Sequence, residues 1–458
     1  MTRSLALAAC ALAVWSRGAS ADPPGATGPL QAPPTDTADD TEAAPAPAAP
    51  APATGDGQPT DDDLRDVLSG ERPRAETPRD PDAGDPATGT ARAGAYHDSD
   101  QTTVLRFLGV VGKTWDHWQV NASVGVDAVT SASVDVRSSP ALSKIDVITS
   151  ASGRSSTSGG EMTDTRYQVT GGAGWKDSSG HAVNLTSAVA KETDYASVSA
   201  GINGAYDVLD RTTTLLGGVT LTDNWVSSVL DATRHGKMAA GGWSLGVARV
   251  LTRDDAVRLR YDGKASDGDQ ASPYRSVRFG NWTAQLGQHQ IMFSNTLGPA
   301  DGLIEKLPQV RVSHAAVLEW VHSLALGVGL HPELRVAHDS WGIDSLTAAL
   351  DLRVARPGWR LLAGYRYYLQ SRAEFFEDKY TQDPAMYTYY TSDKELGRQS
   401  GHLLSFDVSW VVSDSEGPGD RRVRLDLQLD AVHYSYPGFV LLPSRDSVFG
   451  SLGLTWEL

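Results

Sequence analysis

Residues 118–128, WQVNASVGVDA, decide the fold of this chain. Apolar and polar residues alternate along the stretch, so that Trp118, Val120 and Val124 share one face while Asn121 and Ser123 share the other. Because successive strand side chains point to opposite sides, the pattern predicts a β-strand with one apolar and one polar face. In a soluble sandwich the apolar face would point into a core. In a membrane barrel it would face lipid, and the polar face would line a lumen.

The N-terminus indicates the compartment. The chain has 458 residues, a mean hydropathy of -0.29 and a net charge of -16, and it contains no apolar run of about 18 residues that would predict a transmembrane helix. Arg3, the apolar residues 5–14 and the A-x-A sequence at 19–21 predict a secretory signal peptide over residues 1–21. Cys10, the only cysteine, follows a lipobox-like Leu-Ala-Ala, which leaves a lipoprotein as the alternative.

Residues 22–88 form a low-complexity segment. It holds 14 of the 24 prolines and 15 acidic against 4 basic residues. A segment of this composition cannot bury enough apolar surface to offset its ordering entropy, so we expect a disordered periplasmic linker. A solvated spacer and a docking arm for a basic partner are both compatible with its charge.

Alternating segments recur from residue 89 to residue 458, and the connections between them differ in length. The short ones fall at 113–117, 177–180, 207–212, 252–255, 321–323, 356–359 and 414–420, and the longer ones at 129–163, 227–237, 262–308, 373–397 and 436–444. Short turns that alternate with longer loops are typical of membrane barrels. Counting a short first strand at 91–97 predicts sixteen strands, and a further hairpin within 262–308 would make eighteen.

The C-terminus supports the same architecture. Leu452, Leu454, Trp456 and Leu458 share one face of a strand that ends at the carboxyl terminus. Bacterial barrels close on such a strand, which the outer-membrane assembly machinery recognises. The predicted fold class is therefore all-β: an antiparallel transmembrane β-barrel of about sixteen strands, integral to the outer membrane.

Most of this region resembles a family of bacterial outer-membrane barrels, the domain of unknown function 3570. The matching stretches, in order, are VDAVTSAS, IDVITSAS, KETDYAS, SPYRSV, EKLPQVR, HDSWGIDS, GYRYYLQSRAEFF and TSDKELG. The resemblance implies the location and the fold but no reaction. Some barrels of this general kind look like polysaccharide-export components that work with periplasmic export proteins.

Catalytic constellations are weak in this sequence. His97 with Asp98 and Asp100 could bind a cation or form an exposed turn, and we favour the turn. His314 falls on the predicted outer face, where an interfacial role is expected, and HDSWG at 338–342 is better explained as a tight turn than as a triad. We therefore predict no enzyme, no cofactor and no metal site.

The predicted lumen carries the functional candidates. Inward-facing phases contain Arg258, Arg260, Arg353, Arg360, Arg366, Tyr368, Gln370 and Arg424, and the following loop contains Tyr380, Tyr387, Tyr389 and Tyr390. Tyrosine rings can stack on sugars, and arginine and amide groups can bind hydroxyls or acidic groups. The alternative is that the aromatic residues only fold the loop. Luminal charges could likewise select solutes or pair with one another and seal a blocked barrel.

Together these features predict an outer-membrane channel that passes a secreted polysaccharide. The expected partners are outer-membrane lipid, the barrel assembly machinery and a periplasmic polysaccharide-export protein, with no nucleic acid. A general diffusion porin is one alternative. An outer-membrane enzyme or scaffold with a plugged lumen is the other.

Overall fold

The computed structural model describes residues 87–138, 162–227, 235–272, 275–287, 290–299, 302–414 and 422–457. The predicted signal peptide and nearly all of the predicted linker lie outside these residues, as does most of the turn predicted at 414–420. None of the described helices is long and apolar enough to cross a membrane.

Twenty β-strands, one short α-helix and two 3₁₀ helices, at Pro384–Met386 and Lys394–Leu396, make up the described chain. The strands are β1 (Ala87–Asp98), β2 (Thr102–Trp115), β3 (Trp118–Ser131), β4 (Met162–Lys176), β5 (Ala182–Lys191), β6 (Tyr195–Val208), β7 (Thr213–Ser227), β8 (His235–Val250), β9 (Asp255–Gly268), β10 (Ser276–Val277), β11 (Thr283–Leu286), β12 (Ile291–Ser294), β13 (Leu303–Ile304), β14 (Val310–Ala325), β15 (Val328–Asp339), β16 (Asp344–Arg356), β17 (Trp359–Gln370), β18 (Gln399–Asp414), β19 (Arg422–Ser435) and β20 (Ser444–Glu457). The helix α1 spans Val134–Ser138.

Sixteen of these strands form a closed antiparallel barrel. Each pairs with its sequence neighbour, β9 pairs with β14, and β1 closes the ring on β20 with Gly94 opposite Ser451. The predicted sixteen is therefore confirmed. The alternative of eighteen is wrong, because the strands between β9 and β14 pair only among themselves, as β10 with β13 and β11 with β12.

The connections at one end of the barrel are short, and the long loops after β3, β9 and β17 all lie at the other end. That loop end also has short connections, between β1 and β2, β5 and β6, and β15 and β16. Both β1 and β20 reach their chain-terminal ends at the turn end. The first strand is longer than the predicted 91–97. The turn predicted at 321–323 lies instead at Leu326 and Gly327, where Gly327 has φ +69, a conformation that glycine adopts without strain.

The outer surface of the barrel is apolar. Within residues 118–128, Trp118 and Val124 are about half exposed, whereas Ser123 and Asp127 on the opposite face are buried. The same alternation continues around the ring. Indole rings lie on the outer face near the turn end, at Trp118, Trp175, Trp320, Trp359 and Trp410. An apolar band bordered by aromatic residues is the surface of a membrane-spanning barrel, so the apolar face of residues 118–128 faces lipid.

Candidate passage through the barrel

Two regions of the barrel's inner surface are unlike, and β1 to β3 and β20 belong to neither. The first, here called the neutral wall, is the inner face of β4 to β8 between the strand ends, apart from Arg166 near the loop end. Its residues are Gln168, Thr170, Gly172, Asn184, Thr186, Ala188, Ser197, Ser199, Gly201, Asn203, Gly218, Thr220, Thr222, Ala240, Gly242 and Ser244. All are small or uncharged, so the neutral wall offers hydroxyl and amide groups and its side chains take up little of the lumen.

The second region, here called the charged wall, is the inner face of β9 and β14 to β19. Its residues include Arg258, Arg260, Asp262, Glu319, Glu333, Arg335, Asp351, Arg353, Arg360, Arg366, Asp407, Arg424, Asp426 and Asp430. The six arginines predicted to line the path all lie on this wall. The sequence analysis placed these residues in the lumen, and in the structure arginines and carboxylates lie beside one another on this wall.

Many charges on this wall are paired with neighbours. Arg258 Nε donates to Glu319 Oε2 at 2.7 Å, and Arg260 Nε lies 3.1 Å from Asp262. Arg424 Nε lies 3.3 Å from Asp426. Each pair is largely buried, so each partner reduces the desolvation cost of the other. The charged wall is therefore a held network, with long side chains fixed against the barrel.

The loop end is covered by a folded unit, here called the lid, formed by the described residues of 269–309 and 371–398. Glu305 is buried between these two loops, where its carboxylate accepts hydrogen bonds from Thr391 Oγ1 at 2.7 Å and Ser392 N at 3.1 Å. Arg275 Nη1 lies 3.0 Å from Asp393. Burial raises the pKa of Glu305 to about 6, although nearby Arg275 acts in the opposite direction.

The predicted loop tyrosines build the interior of the lid. Tyr380 is 2% exposed and, with Tyr387 and Tyr390, surrounds the ring of Phe279 at centroid distances of 5.0 to 5.8 Å. Tyr380 Oη donates to Phe375 O at 2.9 Å, and burial raises the pKa of this phenol. Only Tyr389 among the four is exposed. These contacts favour the alternative in which the aromatic residues fold the loop.

Two further predicted residues anchor the lid to the charged wall. Gln370 Nε2 donates to Glu395 O at 2.6 Å and to Gly397 O at 3.0 Å. Tyr368 donates its hydroxyl proton to Gln370 Oε1. Both side chains point inward as predicted, but their polar groups bind within the protein.

The lid also reaches the far side of the mouth. Arg278 Nη2 donates to Ser138 O at 2.8 Å, and Arg137 Nη1 donates to Gly287 O at 3.0 Å. These bonds join the lid to α1, whose Val134 N donates to Asp100 at 2.9 Å. Since β3 and β9 are six positions apart in a ring of sixteen strands, the lid spans the loop-end opening.

The histidine candidates occupy structural positions. His314 lies on the outer face, where its Nδ1 is 2.6 Å from Tyr261 Oη. Asp98 accepts hydrogen bonds from Thr102 N and Tyr96 Oη at 2.9 Å, which form a turn. Asp98 and Asp100 are buried in this turn, which was predicted to be exposed. His338 Nδ1 lies 2.8 Å from Asp344 across the short β15–β16 connection.

The sequence analysis did not identify one cluster of three acidic residues. Asp164, Glu192 and Asp194 place carboxylate oxygens within 4.8 Å of one another near the loop ends of β4 to β6. Glu192 and Asp194 are two residues apart, and Asp164 is brought beside them by the β4–β5 pairing. Arg166 lies 3.4 Å from Glu192, so a cation of the protein already balances part of this charge.

The fold and its inner surface define a membrane-spanning β-barrel with a polar lumen and a lid over one end. The chain belongs to the family described as protein of unknown function (DUF3570), whose model matches residues 67–417. No curated protein matches the chain.

Several solved barrels are similar to the chain at low identity. A bacterial polysaccharide outer membrane secretin is 9% identical, with 82% of this chain and 99% of that chain covered and a TM-score of 0.42. The P. putida toluene transporter TodX is 9% identical over 81% and 89%, with a TM-score of 0.33. The siderophore receptor PirA from Acinetobacter baumannii is 10% identical over 76% and 53%, with a TM-score of 0.37. The barrel itself is established by the strand pairing, independently of these likenesses.

Proposed function

We propose that this protein is an outer-membrane channel for a hydrophilic solute, and that the solute is a secreted polysaccharide. The observation that carries the proposal is the polar lumen, which is lined by the neutral wall on one side and by the charged wall on the other. A barrel of sixteen strands is wide enough to leave an aqueous channel. The neutral wall adds little to block that space, and its hydroxyls and amides can exchange hydrogen bonds with sugar hydroxyls.

A long saccharide needs a surface that binds weakly at many points, because tight binding at any one point would stop movement. Thr186, Ser199, Asn203 and Thr220 supply such groups on adjacent strands of the neutral wall. The charged wall opposite holds the guanidinium groups that can contact acidic substituents. This arrangement supports a saccharide better than an apolar solute.

The proposed orientation follows from the strand ends. Bacterial barrels have short periplasmic turns and long external loops. The turn end would then face the periplasm, and the acidic linker would extend there, where a periplasmic export protein could bind it. The apolar face of β20, with Leu452, Leu454 and Trp456, is the proposed signal for the assembly machinery.

The presence of the lid supports a resting state in which the channel is closed at the loop end. This observation keeps a plugged scaffold as the second candidate, since a lid that never moves would block any solute. We propose no catalytic role, cofactor or metal for the barrel.

Two substitutions in neighbouring residues of β7 test the channel. In a deletion strain we expect the surface polysaccharide to be lost, and wild-type protein to restore it. Thr220→Trp fills the lumen and should fail to restore export. Leu221→Trp, whose side chain faces lipid, should restore it.

The outcomes separate the candidates. Surface polysaccharide that is unchanged by the deletion, together with lost uptake of small solutes, would establish a porin. If neither changes and Thr220→Trp is silent, the scaffold is favoured and the channel proposal fails.

A further inference from the structure

A cavity lies on the charged wall beneath the lid. Its lining includes Lys264, Arg311 and Arg335 from the wall, Tyr368, and the lid residues Asp393 and Glu395. Three cations and several carboxylates therefore meet here. What the cavity can bind depends on which of these side chains already have hydrogen-bond or ion-pair partners within the protein.

The carboxylates are engaged by other partners. Asp339 accepts hydrogen bonds from Trp341 N and Ile343 N, each at 2.9 Å, and from Arg311. Asp393 pairs with Arg275 and accepts from Glu395 N. Glu395 lies 3.2 Å from Tyr436 Oη and 3.4 Å from Arg445. None of the three is left over to satisfy another cation in the cavity.

The arginines retain unused donors. Arg311 is more than nine-tenths buried; its Nε and Nη2 contact Asp339, and its guanidinium stacks at 4.5 Å from the Trp341 ring. Its Nη1 is enclosed and has no acceptor among the described residues, and the same is true of Arg335 Nε. An enclosed donor without an acceptor is costly, so two of them in one cavity point to an acceptor from outside the protein.

We infer that this cavity is a binding subsite for a carboxylate group carried on a saccharide. The guanidinium groups of Arg311 and Arg335, which line the cavity, donate to the carboxylate oxygens. The serine hydroxyls of Ser313 and Ser345, which also line the cavity, bind adjacent sugar hydroxyls. A guanidinium binds a carboxylate in a fixed geometry, which gives the subsite preference over neutral sugars. The inference rests on the proposed function, and it narrows the solute to an acidic polysaccharide.

The test uses the full-length barrel purified in detergent and titration calorimetry with three probes: trigalacturonate, maltotriose and inorganic phosphate. We expect trigalacturonate to bind best. Arg335→Gln should weaken its binding about tenfold or more, the usual effect of losing a hydrogen bond to a charged group. Arg253→Gln removes the same charge from an exposed turn and should have no effect. Ser345→Asp places a carboxylate in the cavity and should abolish binding without removing an arginine.

Heat-dependent migration on gels establishes that each variant is folded. Equal affinity for trigalacturonate and maltotriose, or unchanged binding in both Arg335→Gln and Ser345→Asp, overturns the subsite. Phosphate that binds as tightly as trigalacturonate overturns the saccharide specificity. Binding that behaves as expected, in a protein whose deletion leaves surface polysaccharide intact, upholds the subsite and rejects only the proposed export role.

Discussion

The neutral and charged walls share one backbone geometry and differ almost entirely in side-chain size and charge. The neutral wall uses Gly, Ser, Thr and Asn on its inner face, while the charged wall carries arginines held by carboxylates, as in Arg258 with Glu319. The lid is anchored on the charged wall through Gln370, and across the mouth it is bonded to α1 through Arg137 and Arg278. The neutral wall therefore provides space and uncharged hydrogen-bonding groups, and the charged wall provides charged binding groups and an attachment for the lid.

Two neighbouring positions of β5 give the largest expected effect. Leu185 faces lipid and Thr186 faces the lumen. Leu185→Arg should destabilise the barrel by about 2–4 kcal/mol, the cost of a cation on the lipid face near the bilayer midplane. Thr186→Arg should be tolerated because its charge meets water. Urea unfolding in detergent micelles measures both, and equal losses would show that the neutral wall does not line an aqueous space.

Removal of a charge should distinguish the two walls. Arg258→Ala leaves Glu319 with only the more distant Arg260 at 3.7 Å, and we expect a loss of about 2 kcal/mol from this largely buried pair. Thr220→Ala on the neutral wall should change stability by less than about 0.5 kcal/mol. Because the pair acts as a unit, Arg258→Ala with Glu319→Ala should cost less than the sum of the single substitutions. Additive losses would contradict the held network.

Period-two alternation predicted the barrel and the inward direction of Arg258 and Arg424, and the strand number followed once an even number of strands was required. It could not reveal the two walls, because that division depends on which strands become neighbours in the ring. The lid was equally hidden. Tyr380 packs on Phe279, about a hundred residues earlier in the chain, and Glu305 meets Thr391 across two loops. Local patterns carry no record of such contacts, so an aromatic-rich loop could be either a sugar platform or a small core.

The lid should respond to pH through Glu305. Its pKa is about 6 in the closed lid and 4.5 when free, a difference of about 2 kcal/mol between protonation states. Since the closed-state pKa is raised, protonation stabilises closure: the stabilisation is complete below pH 4.5 and is lost as the pH rises through about 6.

Single-channel recordings across pH 4 to 8 measure this response. Wild-type barrels should open more often at the higher pH, and Glu305→Gln should remove the dependence because the amide cannot ionise. Glu377→Gln, an exposed lid residue, is the matched control. Opening that increases on acidification would reverse the sign and exclude Glu305 as the responding group.

The smallest effect concerns the aromatic interior of the lid. Tyr380 Oη donates to Phe375 O and accepts from Thr391 N at 3.0 Å and from Glu377 N at 3.4 Å, so Tyr380→Phe removes three hydrogen bonds while keeping the ring. We expect the lid to lose about 1 kcal/mol, which corresponds to roughly fivefold faster cleavage by a protease that acts on the transiently opened loop. Tyr389→Phe removes a hydroxyl from an exposed ring and should leave the rate unchanged. Two opposite results would contradict this assignment: Tyr389→Phe impairs saccharide binding, and Tyr380→Phe leaves cleavage unaltered. The lid tyrosines would then contact the solute, and the lid would join the neutral and charged walls as part of the passage.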